Sequence, residues 1–235
     1  MIFTVVFSPS SRTRTGRHDG KADPRHLDVT RRFLAGPRPT LEEPLGKGGE
    51  GLHEWAVATR GFRQRQGLDG GEANADSELI DELVGCTGAT LMGRRMFSGG
   101  AGGWEDDVNA EGWWGEDPPL HHPVFVLTHH ARAPVSKQGG TTFTFVTDGI
   151  EAALQQARAA AGERDVAIGG GADVARQYLR AGLLEELRVH IASVLLGDGT
   201  RLFEDGLAGS PAGLEPTSVI ESPAGVAHLS YPVVR

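Results

Sequence analysis

Cysteine is nearly missing from this chain: Cys86 stands alone among 235 residues. A single thiol closes no internal disulfide, so packing has to hold the fold, and the expected setting is a reducing cytoplasm. Aromatic residues are few, at 6%. No apolar run approaches the ~20 residues of a membrane-spanning helix, so no membrane partner is expected. Positive charge is also short, with 23 Lys and Arg against 31 Asp and Glu, a net charge of −8. Non-specific nucleic-acid binding needs a basic face, so no nucleic-acid partner is expected either. A small anionic ligand stays open, because local arginines and helix ends decide that. Certain motifs are missing as well. There is no G-x-S-x-G elbow and no H-x-E…P-C-x-x-C signature, which removes the common flags of a hydrolase and of a zinc deaminase. His121, His122, His129 and His130 have no carboxylate or cysteine at ligand spacing, so no metal is expected.

Glycine, by contrast, is plentiful. The 34 glycines gather at 46–51, 67–71, 99–103 and 169–171 and form no repeat. The third of these blocks lies in a long loop, Ser98 to His122, with Trp104, Trp113 and Trp114. Loops of that length serve as lids or binding walls, or pack as a hydrophobic patch. The last block organises the chain. Asp165-Val166-Ala167-Ile168 reads as a short buried strand, Gly169-Gly170-Gly171 breaks it, and Ala172 to Arg180 reads as a helix. A strand that turns through glycines into a helix start leaves backbone N–H groups bare and aims partial positive charge outward. Such a turn either cradles a phosphate or is a glycine turn with no ligand. The standard dinucleotide fingerprint wants a third glycine where Val174 stands and an acid near Ile191. Both are absent, which excludes an ordinary Rossmann domain.

The remaining elements follow from pattern. Ile2 to Phe7 and His26 to Leu34 read as strands, separated by a polar, basic, breaker-rich stretch from Ser8 to Pro24 that lacks the apolar core of a secretory signal. Residues 1–25 are therefore set apart as an N-terminal arm, and 26–235 as one domain. Leu52 to Arg60 reads as a short helix. Asp76 or Ser77 is placed to cap a helix running to about Val84 and stopped by Gly85 and Gly88. Strands are expected at Ala89–Met92, Pro123–Thr128, Thr141–Thr147, Leu187–Leu196, Val219–Ile220 and Val226–Val234, with a helix at Ile150–Ala161. Strands alternating with helices, then a strand-rich end, predict an α/β fold with a mostly parallel sheet and an antiparallel C-terminal edge. Two strand ends carry further anion-binding groups: Gly93-Arg94-Arg95 and Thr128-His129-His130. Ligands of open α/β sheets sit beyond such ends, so these groups and the glycine turn are expected to converge on one cleft.

In this order, the segments Ala89–Phe97, Pro123–His129, Gly139–Gly149, Gly169–Val174 and Val194–Phe203 resemble the dihydrofolate-reductase-like family. Within it they are most similar to the reductase half of bacterial riboflavin-biosynthesis deaminase/reductases, and the likeness runs over residues 33 to 235. The resemblance implies a mixed α/β fold, a homodimer with Leu187 to Leu196 near its interface, and an NADPH-dependent reductase. It places the cofactor phosphates on Gly93, Arg94, Arg95, Thr128, His129 and the run Gly169, Gly170, Gly171, Ala172, Asp173 and Val174. Ala35 and Gly36 would lie by the nicotinamide. Hydride would pass to a C=N or C=O bond of a small heterocycle or carbonyl compound. Asp76 is the candidate proton donor, with helix capping as its other reading and Asp81 as a further acid. One departure stands out. Relatives read Ser-Leu-Asp-Gly-Phe-Ile-Ala-Gly-Pro where this chain has Val29-Thr30-Arg31-Arg32-Phe33-Leu34-Ala35-Gly36-Pro37. The missing Asp-Gly pair leaves a second reading open, a nucleotide-binding protein of the same fold without turnover.

Overall fold

Short apolar runs without polar alternation belong to strands buried on both faces, and the middle of the sheet is made of them. In the computed structural model the described residues are 2–7, 33–203, 213–214 and 217–234. The first half of the chain forms β1 (Ile2–Phe7), β2 (Phe33–Ala35), α1 (Glu54–Val57), α2 (Arg60–Arg65), α3 (Ala75–Cys86), β3 (Thr87–Gly93), α4 (Arg94–Ser98) and β4 (Pro123–Leu127). The second half forms β5 (Val135–Ser136), β6 (Thr142–Val146), α5 (Ile150–Ala161), β7 (Asp165–Gly170), α6 (Ala172–Arg180) and β8 (Glu186–Ala192). It closes with β9 (Thr200–Arg201), β10 (Gly213–Leu214), β11 (Ser218–Glu221) and β12 (Val226–Val234).

The main sheet runs β10-β12-β8-β1-β7-β3-β4-β6-β5, with β11 on β12, and β2 pairs with β9 apart from it. Strands β7, β3, β4 and β6 are mutually parallel. From β1 to β12 every pairing is antiparallel. This is the predicted mixed α/β fold: a parallel centre flanked by helices, with an antiparallel edge. Among the described residues no helix is long and apolar enough to cross a membrane.

Each face of the parallel strands has its own core. On one side Ala89, Leu91, Val166 and Ile168 pack against Ala153, Leu154, Ala157 and Ala161 of α5 and Val174, Ala175 and Tyr178 of α6. The alanine stripe on α5 recurs every four residues or so, which lets that helix lie close on the sheet. Tyr178 is fully buried, and its hydroxyl donates to Ile150 O at 2.7 Å, tying α6 to the start of α5. On the other side Met92, Val124, Val126 and Phe143 enclose Phe97, with Trp104, Trp114 and Phe145 around them. The rings of Phe97 meet those of Phe143 and Phe145 edge-on at 4.9 and 5.1 Å.

Several boundaries differ from expectation. Asn74, not Asp76 or Ser77, caps α3: its side-chain oxygen accepts from the Ser77 N–H at 3.1 Å. The helix continues through Gly85 to Cys86, where Thr87 Oγ1 donates back to Leu83 O. The stretch from Leu52 to Arg60 breaks into two helices because Thr59 caps the second, accepting from the Phe62 N–H. The strand from Leu187 leaves the sheet after Ala192, short of Leu196. Residues 1–25 were set apart, yet β1 at their start is hydrogen-bonded between β7 and β8. Ser8 to Pro24, and most of the strand expected from His26, lie outside the described residues.

Leu91 has no exposed surface and sits where α5 meets β3. Leu91→Ala is expected to cost about 3 kcal/mol and to lower the melting temperature by on the order of 10 °C, measured by thermal denaturation.

Candidate functional site

Because β7, β3 and β4 are adjacent and parallel, their carboxyl ends open at one edge, and a cleft of about 1010 Å³ lies there. Gly93, Arg94 and Arg95 line it from the end of β3, Thr128 and His129 from the end of β4, and Gly169 through Val174 from the β7–α6 turn. The three chain reversals singled out in the sequence therefore meet. Ala35 lines the cleft as well. Gly36 lies beside it, outside the lining, with its N–H donating to Leu45 O at 2.7 Å. A Cβ there would come within 2.2 Å of Lys47 O, so only glycine fits.

The β7–α6 turn is bare backbone. Gly171 stands at the N-cap of α6 and supplies no capping side chain. Gly170 has φ +126°, a conformation that side chains rarely tolerate, and lies against Met96. The first-turn N–H groups of α6 thus meet the cleft with partial positive charge. Three arginines line the cleft: Arg94, Arg95 and Arg176. Arg94 is buried, and its guanidinium carbon lies 3.5 Å from the centre of the Trp104 ring. Its terminal nitrogens reach Ser98 Oγ and the Asp107 carboxylate. Ser98 Oγ donates to Asp107 at 2.7 Å, and the Asn109 N–H donates to its other oxygen at 2.9 Å. Burial pushes the Asp107 carboxyl up, but these donors and Arg94 outweigh it and hold the group below the usual carboxylate range. Arg176 is paired with Asp173 and reaches Arg201 O. Arg95 is exposed. Thr128 is buried, and its hydroxyl accepts from the His130 N–H at 3.1 Å, closing the turn that presents His129.

The opposite wall is apolar and comes from β2 and from loops: Leu34 of β2, then Pro39, Leu41, Pro44, Leu45 and Trp113. Trp113 is pinned by its indole N–H donating to Met96 O. Trp104 and Trp114 pack into the aromatic core instead. The tryptophan loop is thus both a wall and a packed patch. His53 and Arg176 are among the lining residues that escaped the sequence reading. His53 sits in a glycine-rich loop with no periodic pattern to mark it; its Nδ1 lies 3.4 Å from Gly49 O, and burial lowers its pKa. Arg176 was marked only by its spacing of three from Asp173.

Asp76 is not among the lining residues. It is buried between α3 and the antiparallel half of the sheet, where it accepts from Ser222 Oγ and lies 2.7 Å from His228 Nε2. His228 Nδ1 is 2.8 Å from His190 Nδ1. A carboxylate only accepts, so His228 donates through Nε2, and His190 then donates through Nδ1. Asp81 is exposed and paired with Arg65. The four histidines do not gather: His122 bonds Thr90 at 2.8 Å, and His121 pairs with Asp117. Asp117, four residues before His121, is a carboxylate at a spacing that the sequence reading did not credit. Among the described residues no group of three metal-ligating side chains occurs.

A glycine turn feeding a helix start at the carboxyl edge of parallel strands defines the general class, an α/β protein with a cleft at that edge. The chain belongs to the RibD C-terminal domain family, whose model matches residues 56–227. It is similar to a protein from Shewanella sp. PV-4 proposed to act in riboflavin biosynthesis. That likeness has 17% identity and a TM-score of 0.53, and covers 86% of this chain and 94% of that one. A pyrimidine reductase-like protein from Corynebacterium diphtheriae is 16% identical with a TM-score of 0.44 over 70% of this chain and 83% of its own. RibD of Acinetobacter baumannii is 16% identical with a TM-score of 0.46, covering 68% of this chain and 51% of that one. No curated protein matches this chain.

Two outcomes follow from the buried polar groups. Asp76→Ala would leave Ser222 and His228 without their acceptor and is expected to cost about 3 kcal/mol in urea unfolding, whereas Asp76→Asn keeps an acceptor and costs less. Burial, with the charges of Arg164 and His121, lowers the pKa of His122 to about 4. Burial, with His228 beside it, lowers that of His190 to about 3. The unfolded chain then takes up protons first, so stability is whole above about pH 6.5 and falls as the pH drops toward those values. The slope is ~1.4 kcal/mol per pH unit for each histidine. Urea midpoints across that range should show it, and His122→Asn should flatten it.

Proposed function

We propose that the cleft binds NADPH and that the protein is a reductase. It would transfer hydride to a C=N or C=O bond of a small heterocycle or carbonyl compound, as a pyrimidine reductase of the riboflavin pathway does. The observation that carries this reading is the meeting of three parallel strand ends at one cleft, around the uncapped start of α6. It is supported by membership of the RibD C-terminal domain family. The donor set suits the group: bare helix N–H groups and a glycine pair without side chains let a pyrophosphate approach the backbone. When bound, the reduced nicotinamide supplies hydride. The chain's own residues bind and orient.

In this reading Gly169 to Val174 hold the pyrophosphate, while Arg95, Thr128 and His129 stand at the outer phosphate. Ala35, which lines the cleft, lies by the nicotinamide, with Gly36 next to it making room for Lys47 O. The apolar wall of Leu41, Leu45 and Trp113 keeps water from the reacting carbon and receives the flat face of the substrate. His53, bonded through Nδ1 to Gly49 O, presents Nε2 as an acceptor for a substrate N–H.

Isothermal titration should find NADPH binding with micromolar or tighter affinity. Arg95→Ala is expected to weaken it about tenfold, the worth of one charge-assisted phosphate contact. Mixing the complex with pterins, pyrimidine-ones and quinones should consume the reduced-nicotinamide absorbance for at least one class. Tight binding with no oxidation on any of them would favour the binding protein without turnover, and no binding would remove both readings.

A further inference from the structure

Resting on the proposed cofactor site, one feature of its wall sets how tightly that site holds a ligand. Of the three arginines lining the cleft, Arg94 is the one that, among the described residues, pairs with a buried carboxylate. Side-chain exposures are 7% for Arg94 and 4% for Asp107. Asp107 belongs to the tryptophan loop, and no strand or helix end needs an acid at that place. The pair is built rather than casual. Ser98 Oγ bridges the two groups, the Asn109 N–H fixes the second carboxylate oxygen, and Trp104 lies flat under the guanidinium. Arg94 Nε and Nη2 are both buried without a hydrogen-bond partner among the described residues, Nη2 facing Asp107 as an ion pair.

The charge count has a direct consequence. With Asp107 ionised, the Arg94–Asp107 unit is neutral, and the Arg94 guanidinium is held on Asp107 and over Trp104, neither of which lines the cleft, so a phosphate has to draw it away from that carboxylate. Two anions competing for one guanidinium in a partly desolvated cleft repel each other strongly. We propose that Asp107 is a built-in competitor for the ligand's phosphate. It occupies Arg94, lowers the affinity of the cleft for a phosphate-bearing nucleotide, and makes Arg94 a positioning residue of the loop. A cleft tuned this way releases its nucleotide after use, and Arg95 with the start of α6 carries the phosphate contacts.

The experiment is isothermal titration of NADPH into the full chain and its variants, with a thermal melt of each. Asp107→Asn keeps an acceptor for the Asn109 N–H, turns its amide N–H to Ser98 Oγ as a donor and removes the charge, and should tighten NADPH about tenfold. Asp107→Asn combined with Arg94→Gln removes both charges and should return the affinity to within about threefold of the original, the signature of coupling between the two sites. Ser98→Ala loosens the same loop without touching charge and should leave the affinity within about twofold. If Asp107→Asn melts below the assay temperature, Asp107→Ser takes its place. A folded charge-removed variant that binds no tighter overturns the proposal. So does a gain that survives loss of Arg94, or an equal gain from Ser98→Ala. Failure of the original chain and of every variant to bind NADPH would instead remove the proposed function on which this rests.

Discussion

Parallel pairing of β7 with β3 and of β3 with β4 is the constraint on which the rest depends. Strands that run the same way must all end at the same edge, and each chain must turn back there. The turn after each strand is therefore forced into the neighbourhood of the others, whatever its sequence. Here the register sets Leu91 opposite Ile168 and Phe125, so the three strands reach the edge nearly level. Gly93, Thr128 and Gly169 become neighbours through pairing alone. No contact among those three turns is needed to hold them together, and their side chains are free to be small, cationic or hydroxylic.

The antiparallel half is held differently. Its face toward α3 carries His190 and His228 on paired strands, with Arg188 and Ser230 one step along. Asp76 and Glu82 of α3 come down onto that face, Asp76 to His228 and Glu82 to within 3.8 Å of Arg188. Burying charge is costly unless it is paired, so the contact of the buried Asp76 fixes a lateral position for the helix, to which the exposed Glu82 adds little. An apolar seam would permit sliding. The Asp76–His228–His190 chain also extends to Ser222 in the hairpin between β11 and β12, which joins that hairpin to α3. The same logic governs Arg94 and Asp107 across the cleft wall, where a buried pair fastens the tryptophan loop to α4. Buried ion pairs of this kind specify geometry more than they stabilise it.

Local pattern explains what was readable in advance. The helix Ile150–Ala161 and the strand Val226–Val234 match their expected bounds because each carries one period throughout. The β7 turn was legible as a chain reversal because three consecutive glycines break a strand before a helix start. The cap of α3 was missed because Asp76 and Ser77 are as good cappers as Asn74 by type, and only the chain's path selects among them. The role of Asp76 was unreadable for another reason. Its partners, Ser222 and His228, lie far along the chain, and nothing local to α3 signals them. Arg94 shows the same limit: its position at the strand end was legible, but the carboxylate that occupies it comes from an irregular loop. His53 was hidden for want of any period around it.

The two walls of the cleft differ in what fixes them. One is backbone, set by strand pairing and by glycines, and changing it means changing the sheet. The other is made of side chains from residues 34–53 and from the tryptophan loop, neither of which contributes to the central strands. Loops pinned at a few points can exchange residues without disturbing the core behind them. Trp113 is held by a bond to Met96 O, and Leu41 packs beside it at Gly99. The resulting wall is rigid yet independent of the sheet. Under the proposed function, those few side chains would meet the substrate, while the placing of the three turns follows from the strand order. Substrate choice would then be a property of the least regular segments, which is also why sequence pattern says least about it.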